Sequence, residues 1–173
     1  RMEIVSTSYT DRRVFSYKPS LDQDDPKVLK VVKSAPIRLE NGEIIIPYPG
    51  VNSKNVDTDD SIFFYGRRML KLVDWDNDGD LDLFIGADDH IWYYENVGTK
   101  TAPVFKEHGK IQVQGKDLLV THHHGSVEVV DWNGDGRKDL IIGGESGWSY
   151  YFERSFLEGN LPRATTGSIQ VRP

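Results

Sequence analysis

The sequence predicts an all-β protein made of repeated units, each with several short strands. Aromatic residues form 11% of the 173-residue chain, and 16 glycines and 8 prolines interrupt it throughout, while helix signals are few. Short β-branched or aromatic runs closed by glycine, at 83–86 and 140–143, indicate buried strands. An acidic motif with its surroundings also occurs twice at a fixed distance, which is typical of propellers and solenoids.

The first copy of the motif, here called the first loop, runs from Asp74 to Asp82 with the pattern D-x-D-x-D-G-x-x-D. Five carboxylates within nine residues would repel one another in an empty loop. Calcium takes about six to eight oxygen ligands in a flexible geometry, so the spacing predicts a calcium site. The predicted ligands are the side chains of Asp74, Asp76, Asp78 and Asp82 and the backbone carbonyl of Asp80. The alternative is an acidic surface turn without metal.

The second loop runs from Asp131 to Asp139 and begins 57 residues (131 − 74) after the first. Its predicted ligands are the side chains of Asp131, Asn133, Asp135 and Asp139 and the carbonyl of Arg137. An EF-hand is excluded, because it has a bidentate Glu at its twelfth position and helices on both sides. The twelfth positions here are Ile85 and Ile142, within predicted strands. Both loops are therefore predicted to connect strand to strand.

The repeat extends beyond the loops without a gap. The matching pairs are Val73/Val130, Trp75/Trp132, Gly79/Gly136, Leu83/Leu140, Ile85/Ile142, Gly86/Gly143 and Tyr93-Tyr94/Tyr150-Tyr151. From about Leu70 to Phe152 the chain resembles the FG-GAP/VCBS repeats of integrin-α-type calcium-binding β-propellers, whose blades carry the same loop before a D-L-hydrophobic-x-G strand. The resemblance implies β-propeller blades with calcium as the cofactor. Because the tryptophans and tyrosines repeat, they are predicted to pack within blades rather than bind a ligand.

The period divides the chain into three parts. Residues 1–66 are expected to hold N-terminal strands, a hairpin with a two-residue turn at Asn41-Gly42 and a long loop, as a preceding blade without metal. Residues 67–156 are expected to form two four-stranded calcium-binding blades, and residues 157–173 an irregular segment leading toward a further blade. About three blades fit this length, whereas closed propellers have about four to eight. We therefore expect a piece of a larger propeller, completed by further blades or partner chains.

Composition narrows the possible settings and partners. The formal net charge of −6 would fall to about −2 with two calcium ions bound, and an acidic surface does not favour nucleic acid. No apolar run reaches 18 residues, so no membrane span is predicted. The absence of cysteine excludes disulfides and thiol chemistry. Calcium sites of this kind suit a secreted or periplasmic protein.

Residues that break the repeat are the candidates for function. Strand direction places several of them at the blade end opposite the calcium loops: Tyr65, Arg67, Arg68, Asp88, Asp89, His90, His122, His123, His124 and Glu145. In propellers similar to this one, that face often binds the ligand. Alternate side chains of an extended segment point to opposite sides, so His122 and His124 could act together while His123 could not. The alternative is an exposed polar loop.

Two functions follow from these residues. In the first, which we favour, the chain is a calcium-stabilised module of a secreted protein that binds a carbohydrate or protein ligand. In the second, it is part of a propeller-type carbohydrate-active enzyme, such as a polysaccharide lyase acting on uronate-containing glycans. A lyase must neutralise the uronate carboxylate, for which Arg67 and Arg68 are candidates. It must also abstract the proton alpha to that carboxylate, for which Tyr65, His122 and His124 are candidates.

Overall fold

The computed structural model describes residues 4–7, 13–25, 27–46, 68–87, 89–120, 125–144 and 147–158. The backbone forms two compact units, Arg1–Phe63 and Phe64–Pro173, and each is considered by itself. In the described residues, all regular structure is β-strand except one turn of 3-10 helix at Arg154–Phe156. The predicted all-β class is confirmed.

The described residues of the first unit form an antiparallel sheet of three strands. These are β1 (Ile4–Thr7), β2 (Val14–Leu21) and β3 (Leu29–Pro36), and they lie side by side in chain order. Strand β2 forms the middle of the sheet and pairs with both neighbours. Its first residue, Val14, is fully buried, so the core of this sheet lies at the start of β2.

A hairpin follows β3 where the sequence predicts one, but its turn is longer than predicted. Arg38 pairs with Ile44 across the hairpin. The Leu39 N–H donates to the Glu43 carbonyl at 2.7 Å, so the turn spans residues 40–42. Gly42 has a φ of 83°, a left-handed conformation that favours glycine. The turn has three residues, 40–42, so the prediction of a two-residue turn at Asn41-Gly42 is wrong.

The second unit begins with a four-stranded antiparallel sheet, here called the first blade. Its strands are β4 (Met69–Val73), β5 (Asp82–Ala87), β6 (His90–Asn96) and β7 (Phe105–Lys110), each paired with its neighbour in the chain. Strand β5 is buried along its whole length, because it lies in the middle of the sheet and carries the apolar run predicted for a core strand.

The second blade repeats the first three strands of this sheet. It consists of β10 (Ser126–Val130), β11 (Asp139–Gly143) and β12 (Ser149–Phe152), again in chain order. The sequence predicts a fourth strand, but the described residues place none beside β12. Both sheets nevertheless have the sequential antiparallel arrangement of β-propeller blades, as the repeat predicts.

A small sheet pairs strands that precede and follow the second blade in the sequence. The hairpin of β8 (Gln112–Val113) and β9 (Lys116–Asp117) pairs with β13 (Leu157–Glu158), which follows the 3-10 helix. The sequence predicts an irregular segment from residue 157 onward. Leu157 instead packs in the apolar core at 0% exposure, and β8 satisfies the backbone groups that this burial removes from water.

The core of this unit contains residues from both blades. Trp75, Phe84 and Tyr93 of the first blade form one apolar cluster with Leu140 and Ile142 of the second. The rings of Trp75 and Phe84 meet edge to face with centroids 5.0 Å apart, a favoured aromatic geometry. The two blades are thus held together by burial of aromatic and branched side chains.

A close backbone contact also requires glycine between the blades. A Cβ atom added at Gly86, in β5, would lie 1.9 Å from the carbonyl oxygen of Gly125, just before β10. Any side chain at residue 86 would therefore push the two backbones apart. This contact explains the glycine that closes the first buried strand run.

Among the described residues, no helix is long and apolar enough to cross a membrane.

Candidate metal centre

The two acidic loops connect neighbouring strands in the same way. The first loop leaves β4 at Val73 and enters β5 at Asp82, and these two residues pair directly. The second loop leaves β10 at Val130 and enters β11 at Asp139, which pair in the same manner. Both loops therefore close hairpins between strands, as predicted, and differ in this from an EF-hand.

Both loops also follow the same backbone path. The fourth position has a positive φ in each, 67° at Asn77 and 77° at Gly134. The sixth position does as well, with 99° at Gly79 and 85° at Gly136. Glycine adopts this left-handed conformation freely and asparagine tolerates it, so the residue types within each motif explain why the same turn forms twice.

Three carboxylates converge in the first loop. Asp74, Asp76 and Asp78 each offer one oxygen atom, and these atoms lie within 4.8 Å of one another. Opposite ligands of a calcium ion are about 5 Å apart, because each bond is about 2.3–2.6 Å long. The Oδ1 atom of Asp74 is buried and has no hydrogen-bond partner among the described residues, which costs free energy unless a cation is bound. The residues of this loop fit a divalent cation.

Asp80 brings a fourth carboxylate toward the first loop, although the sequence predicts only its backbone carbonyl as a ligand. The residue is 8% exposed, and its Oδ1 atom has no hydrogen-bond partner in the described part of the chain. Burial raises the pKa of Asp80, and the neighbouring Asp78 carboxylate raises this pKa further. The Asn96 side chain opposes the shift by hydrogen bonding to Asp80. Negative charge is therefore concentrated around this loop beyond the predicted ligand set.

Asp82 ties the start of the first loop to the end of β6. Its Oδ2 atom accepts the Trp75 N–H at 2.9 Å, and its Oδ1 atom accepts the Asn96 N–H at 2.8 Å. Burial raises the pKa of Asp82 to about 6. A carboxylate offers about four lone pairs, so these two bonds leave room for the metal ligation that the sequence predicts.

Asp139 has the same position in the second blade. Its Oδ2 atom accepts the Trp132 N–H at 3.1 Å and the Tyr151 hydroxyl at 3.0 Å. Its Oδ1 atom accepts the Arg154 N–H at 2.8 Å. The last aspartate of each motif therefore connects its own loop to the end of the third strand of its blade.

The carboxylates of the second loop are held by the loop's own backbone. Asp131 accepts N–H groups from Gly134, Asp135 and Gly136 at 2.8–3.1 Å. The Asn133 side chain accepts the Asp135 N–H at 3.0 Å. Among the described residues, the cluster of three acidic ligands that occurs in the first loop is not found in the second.

Arg137 forms an ion pair with Asp135, one of the carboxylates of the second loop. Its guanidinium donates to Asp135 Oδ2 from Nη2 at 2.8 Å and from Nε at 3.2 Å. These hydrogen bonds lower the pKa of Asp135. The sequence predicts only the carbonyl of Arg137 as a ligand, whereas this ion pair adds a second contact of the same residue. Opposite charges two residues apart are the signal for it.

The repeated tryptophans have different environments. Trp75 is 1% exposed and packs in the core, as predicted, whereas Trp132 is 68% exposed. The packing prediction is therefore wrong for Trp132. Trp75 packs against Phe84 in the core, and the Arg154 guanidinium, from the 3-10 helix after β12, covers its ring at 3.7 Å from the ring centre. The described residues place no equivalent group over Trp132.

Most of the candidate catalytic residues lie outside the described residues. These are Tyr65, Arg67, His122 and His124, together with Asp88, His123 and Glu145 of the same predicted face. Arg68 is described and is partly buried just before β4. The lyase alternative therefore stays a prediction.

His90 begins β6, at the end of the first blade away from the first loop. Its Nε2 atom lies 3.1 Å from the Lys110 ammonium, which also pairs with Asp117 at 3.2 Å. Gln112 donates to the same aspartate, and its amide together with Lys110 lowers the pKa of Asp117. Lys110 lies 5.8 Å from the centre of the Trp92 ring. Sequence reasoning selected His90 but missed its partners, which come from β7, β8 and β9.

The structure and the site together define a class: an all-β repeat protein whose blades are closed by acidic loops. Residues 74–152 match the family model of the FG-GAP-like repeat. The chain carries FG-GAP-like repeats over this stretch, which confirms the recognition made from the two loops. The searches of curated proteins and of solved structures found no match to the chain.

Proposed function

We propose that the chain is a calcium-stabilised β-propeller module of a secreted protein and that it binds a carbohydrate or protein ligand. The observation that carries the metal part of this proposal is the convergence of Asp74, Asp76 and Asp78 within 4.8 Å. In the first loop, these three side chains, Asp82 and the Asp80 carbonyl would hold the ion. In the second loop, Asp131, Asn133, Asp135, Asp139 and the Arg137 carbonyl would do so.

The donor atoms favour calcium over other metals. All predicted donors are oxygen atoms of carboxylates, an amide side chain or backbone carbonyls, which suit hard cations rather than zinc or copper. Magnesium keeps several waters and demands a near-octahedral geometry at about 2.0–2.1 Å, whereas calcium accepts many protein oxygens in a flexible arrangement. A motif with four aspartate side chains therefore fits calcium best.

A bound calcium ion would supply positive charge among carboxylates that otherwise repel one another. The protein supplies the rest of the arrangement: the left-handed residues Asn77 and Gly79 turn the loop, and the Asp82 clamp fixes its two ends. Because the ion binds the folded loop, it stabilises the hairpin between β4 and β5 by mass action. The metal thus has a structural role in this proposal.

The ligand part of the proposal is supported by the blade end opposite the first loop. There, His90, Lys110, Asp117 and Gln112 form a connected polar group next to the Trp92 ring. Residues 57 positions after His90 and Trp92 are Gly147 and Ser149, so the second blade lacks this group. Donors, acceptors and an aromatic surface in one place suit a ligand rich in hydroxyl or amide groups.

The metal part is tested by titrating calcium into the calcium-free chain in a calorimeter. The expected result is binding to two sites, together with a melting temperature that rises with calcium and falls with a chelator. Magnesium at the same concentration is the control and should stabilise the chain much less. The absence of calcium-dependent heat and of any thermal shift would remove the metal from the proposal.

The ligand part is tested with glycan and protein arrays and the full chain in calcium buffer. Binding should weaken when Lys110 or Asp117 is replaced by alanine, because each substitution removes one partner of the connected polar group. Lys100→Ala, at an exposed lysine outside this group, is the control and should leave binding unchanged. Unchanged binding in the Lys110→Ala and Asp117→Ala variants would place the ligand elsewhere.

A further inference from the structure

Arg154 connects the two loops through a series of direct contacts. Its backbone N–H donates to Asp139 Oδ1, in the last position of the second loop, at 2.8 Å. Its guanidinium Nη1 donates to the Trp75 carbonyl, in the first loop, at 3.0 Å. The Trp75 N–H in turn donates to Asp82 Oδ2 at 2.9 Å. Predicted ligands of both loops are thus joined through Arg154 and Trp75.

Arg154 contacts the first loop between two of its predicted ligands. The Trp75 carbonyl lies on the backbone between Asp74 and Asp76, two of the three converging carboxylates. The guanidinium also lies 3.7 Å from the centre of the Trp75 ring. Arg154 therefore contacts both the backbone and the ring of the residue between two predicted ligands, and it does so from the 3-10 helix that follows the second blade.

We propose that Arg154 couples the two metal loops, so that calcium bound in one loop raises the affinity of the other. This inference rests on the proposed calcium binding. With an ion in the second loop, Asp139 would hold the Arg154 backbone more firmly through their hydrogen bond. The guanidinium would then hold Trp75 more firmly in the arrangement that the first loop needs. A loop that is already ordered loses less conformational entropy on binding, which makes the coupling positive.

A second contact between the loops does not involve the predicted ligands. The Lys138 ammonium donates to the Asn77 side-chain oxygen. Asn77 is the fourth position of the first loop and is not among its predicted ligands. Lys138 therefore provides a matched control: it also carries a positive charge from the second loop to the first, but it holds no backbone group between ligands.

The coupling is measured by calorimetric calcium titrations of the full chain. Asp78→Ala disables the first loop and Asp135→Ala disables the equivalent position of the second. The coupling factor is the affinity of one loop with the other loaded, divided by its affinity with the other disabled. We expect a factor of about five to ten in the wild-type chain, with the same value in both directions because linkage is reciprocal.

The same titrations are then repeated with Arg154→Met, which keeps the backbone N–H and an apolar side chain over Trp75 but lacks the guanidinium. The coupling factor should fall to about one. The affinity of the second loop, measured with the first disabled, should stay within about twofold, which separates coupling from a general loss of structure. Lys138→Met should retain the wild-type factor. If Arg154→Met does not fold, Arg154→Lys, which keeps the charge without the planar group, must show a reduced factor.

The possible outcomes separate this inference from the proposed function. A wild-type coupling factor of about one, or a full factor in Arg154→Met, would overturn the coupling and leave both calcium sites intact. An undiminished factor in Arg154→Lys, where Arg154→Met does not fold, would do the same. Loss of coupling in Lys138→Met alone would overturn the role of Arg154. Absence of calcium binding in the wild-type chain would overturn the proposed function, and the coupling with it.

Discussion

The first and second loops share a backbone path but differ in how their charges are satisfied. Both have left-handed residues at the fourth and sixth positions, and both end in a buried aspartate that accepts two backbone N–H groups. In the first loop, buried oxygen atoms of Asp74 and Asp80 have no hydrogen-bond partner among the described residues. In the second, both oxygen atoms of Asp131 accept backbone N–H groups of the loop, and Asp135 is paired with the Arg137 guanidinium.

The comparison shows that two kinds of residue in the motif do different work. The fourth and sixth positions and the last aspartate determine the path of the loop: the sixth position is glycine and the last is aspartate in both copies, whereas the fourth is Asn77 in one and Gly134 in the other. The variable positions determine the electrostatics: Asp80 adds a buried carboxylate in the first loop, whereas Arg137 neutralises one in the second. We therefore expect loops of the same shape with different affinities for calcium.

The largest expected difference between the two repeats concerns their tryptophans. Trp75→Ala should lower the free energy of unfolding by about 3–5 kcal/mol, because it empties a core position. Trp132→Ala should change it by less than about 0.5 kcal/mol, because this side chain is 68% exposed. Urea unfolding followed by circular dichroism measures both. Equal losses would mean that Trp132 is covered in solution, as it would be if a further repeat or a second copy packed against it.

Replacing the buried aspartates should give the next largest change in the free energy of unfolding. Both repeats should lose stability. Asp82→Ala should lower the free energy of unfolding by about 2–4 kcal/mol, since it leaves the Trp75 and Asn96 N–H groups buried without an acceptor. Asp139→Ala should cost at least as much, because Tyr151 also loses its acceptor. The measurement is made in a chelator, so that loss of metal does not contribute.

The matched control for the aspartates is asparagine. Asp82→Asn keeps one acceptor oxygen and should recover about half of the loss seen with Asp82→Ala. A free energy of unfolding equal to the wild-type value in Asp82→Ala would contradict the role of this side chain as a clamp between the loop and β6.

The two loops should also differ in calcium affinity, with a smaller effect than the stability changes above. Asp135→Ala leaves only the first loop and Asp78→Ala only the second, so the two variants compare the sites directly. The first loop should bind at least about fivefold more tightly, because more of its predicted ligands are carboxylates, whereas Asp135 of the second loop is paired with Arg137. Calorimetry at one salt concentration measures both constants. Tighter binding by the second loop would show that ordering of its ligands by the backbone outweighs charge.

The smallest expected effect concerns Arg137. Arg137→Gln should tighten calcium binding in the second loop by about two- to threefold, because it releases Asp135 Oδ2 and removes a nearby positive charge. The same calorimetric titration in the Asp78→Ala background measures it. Weaker binding in this variant would mean that the ion pair helps to place Asp135 for the metal.

The sequence predicted the parts of this molecule that depend on local patterns. Strand β4 has the predicted bounds, Met69–Val73, and the acidic motifs lie between strands as expected. These features follow from residue periodicity and turn chemistry within a few positions. The same local information supported the recognition of the FG-GAP-like repeat, which the match to residues 74–152 confirms.

Contacts between distant parts of the chain were not predictable in this way. Arg154 and Trp75 are 79 residues apart, and Arg154 lies beyond the matching part of the repeat, so no periodicity pointed to their contact. The burial of Asp80 depends on the path of the chain around Asn96, which a motif does not encode. The exposure of Trp132 depends on what lies beside the second blade rather than on the residue itself.

The pairing of β13 with β8 has a consequence for the order in which the chain folds. Leu157 pairs with Val113, so the whole second blade lies between these two paired strands in the sequence. During synthesis the hairpin of β8 and β9 emerges first and must wait for its third strand until the second blade has followed. Closing this long loop is slow compared with forming the hairpins of either blade. We expect the small sheet to form last, after the second blade is complete.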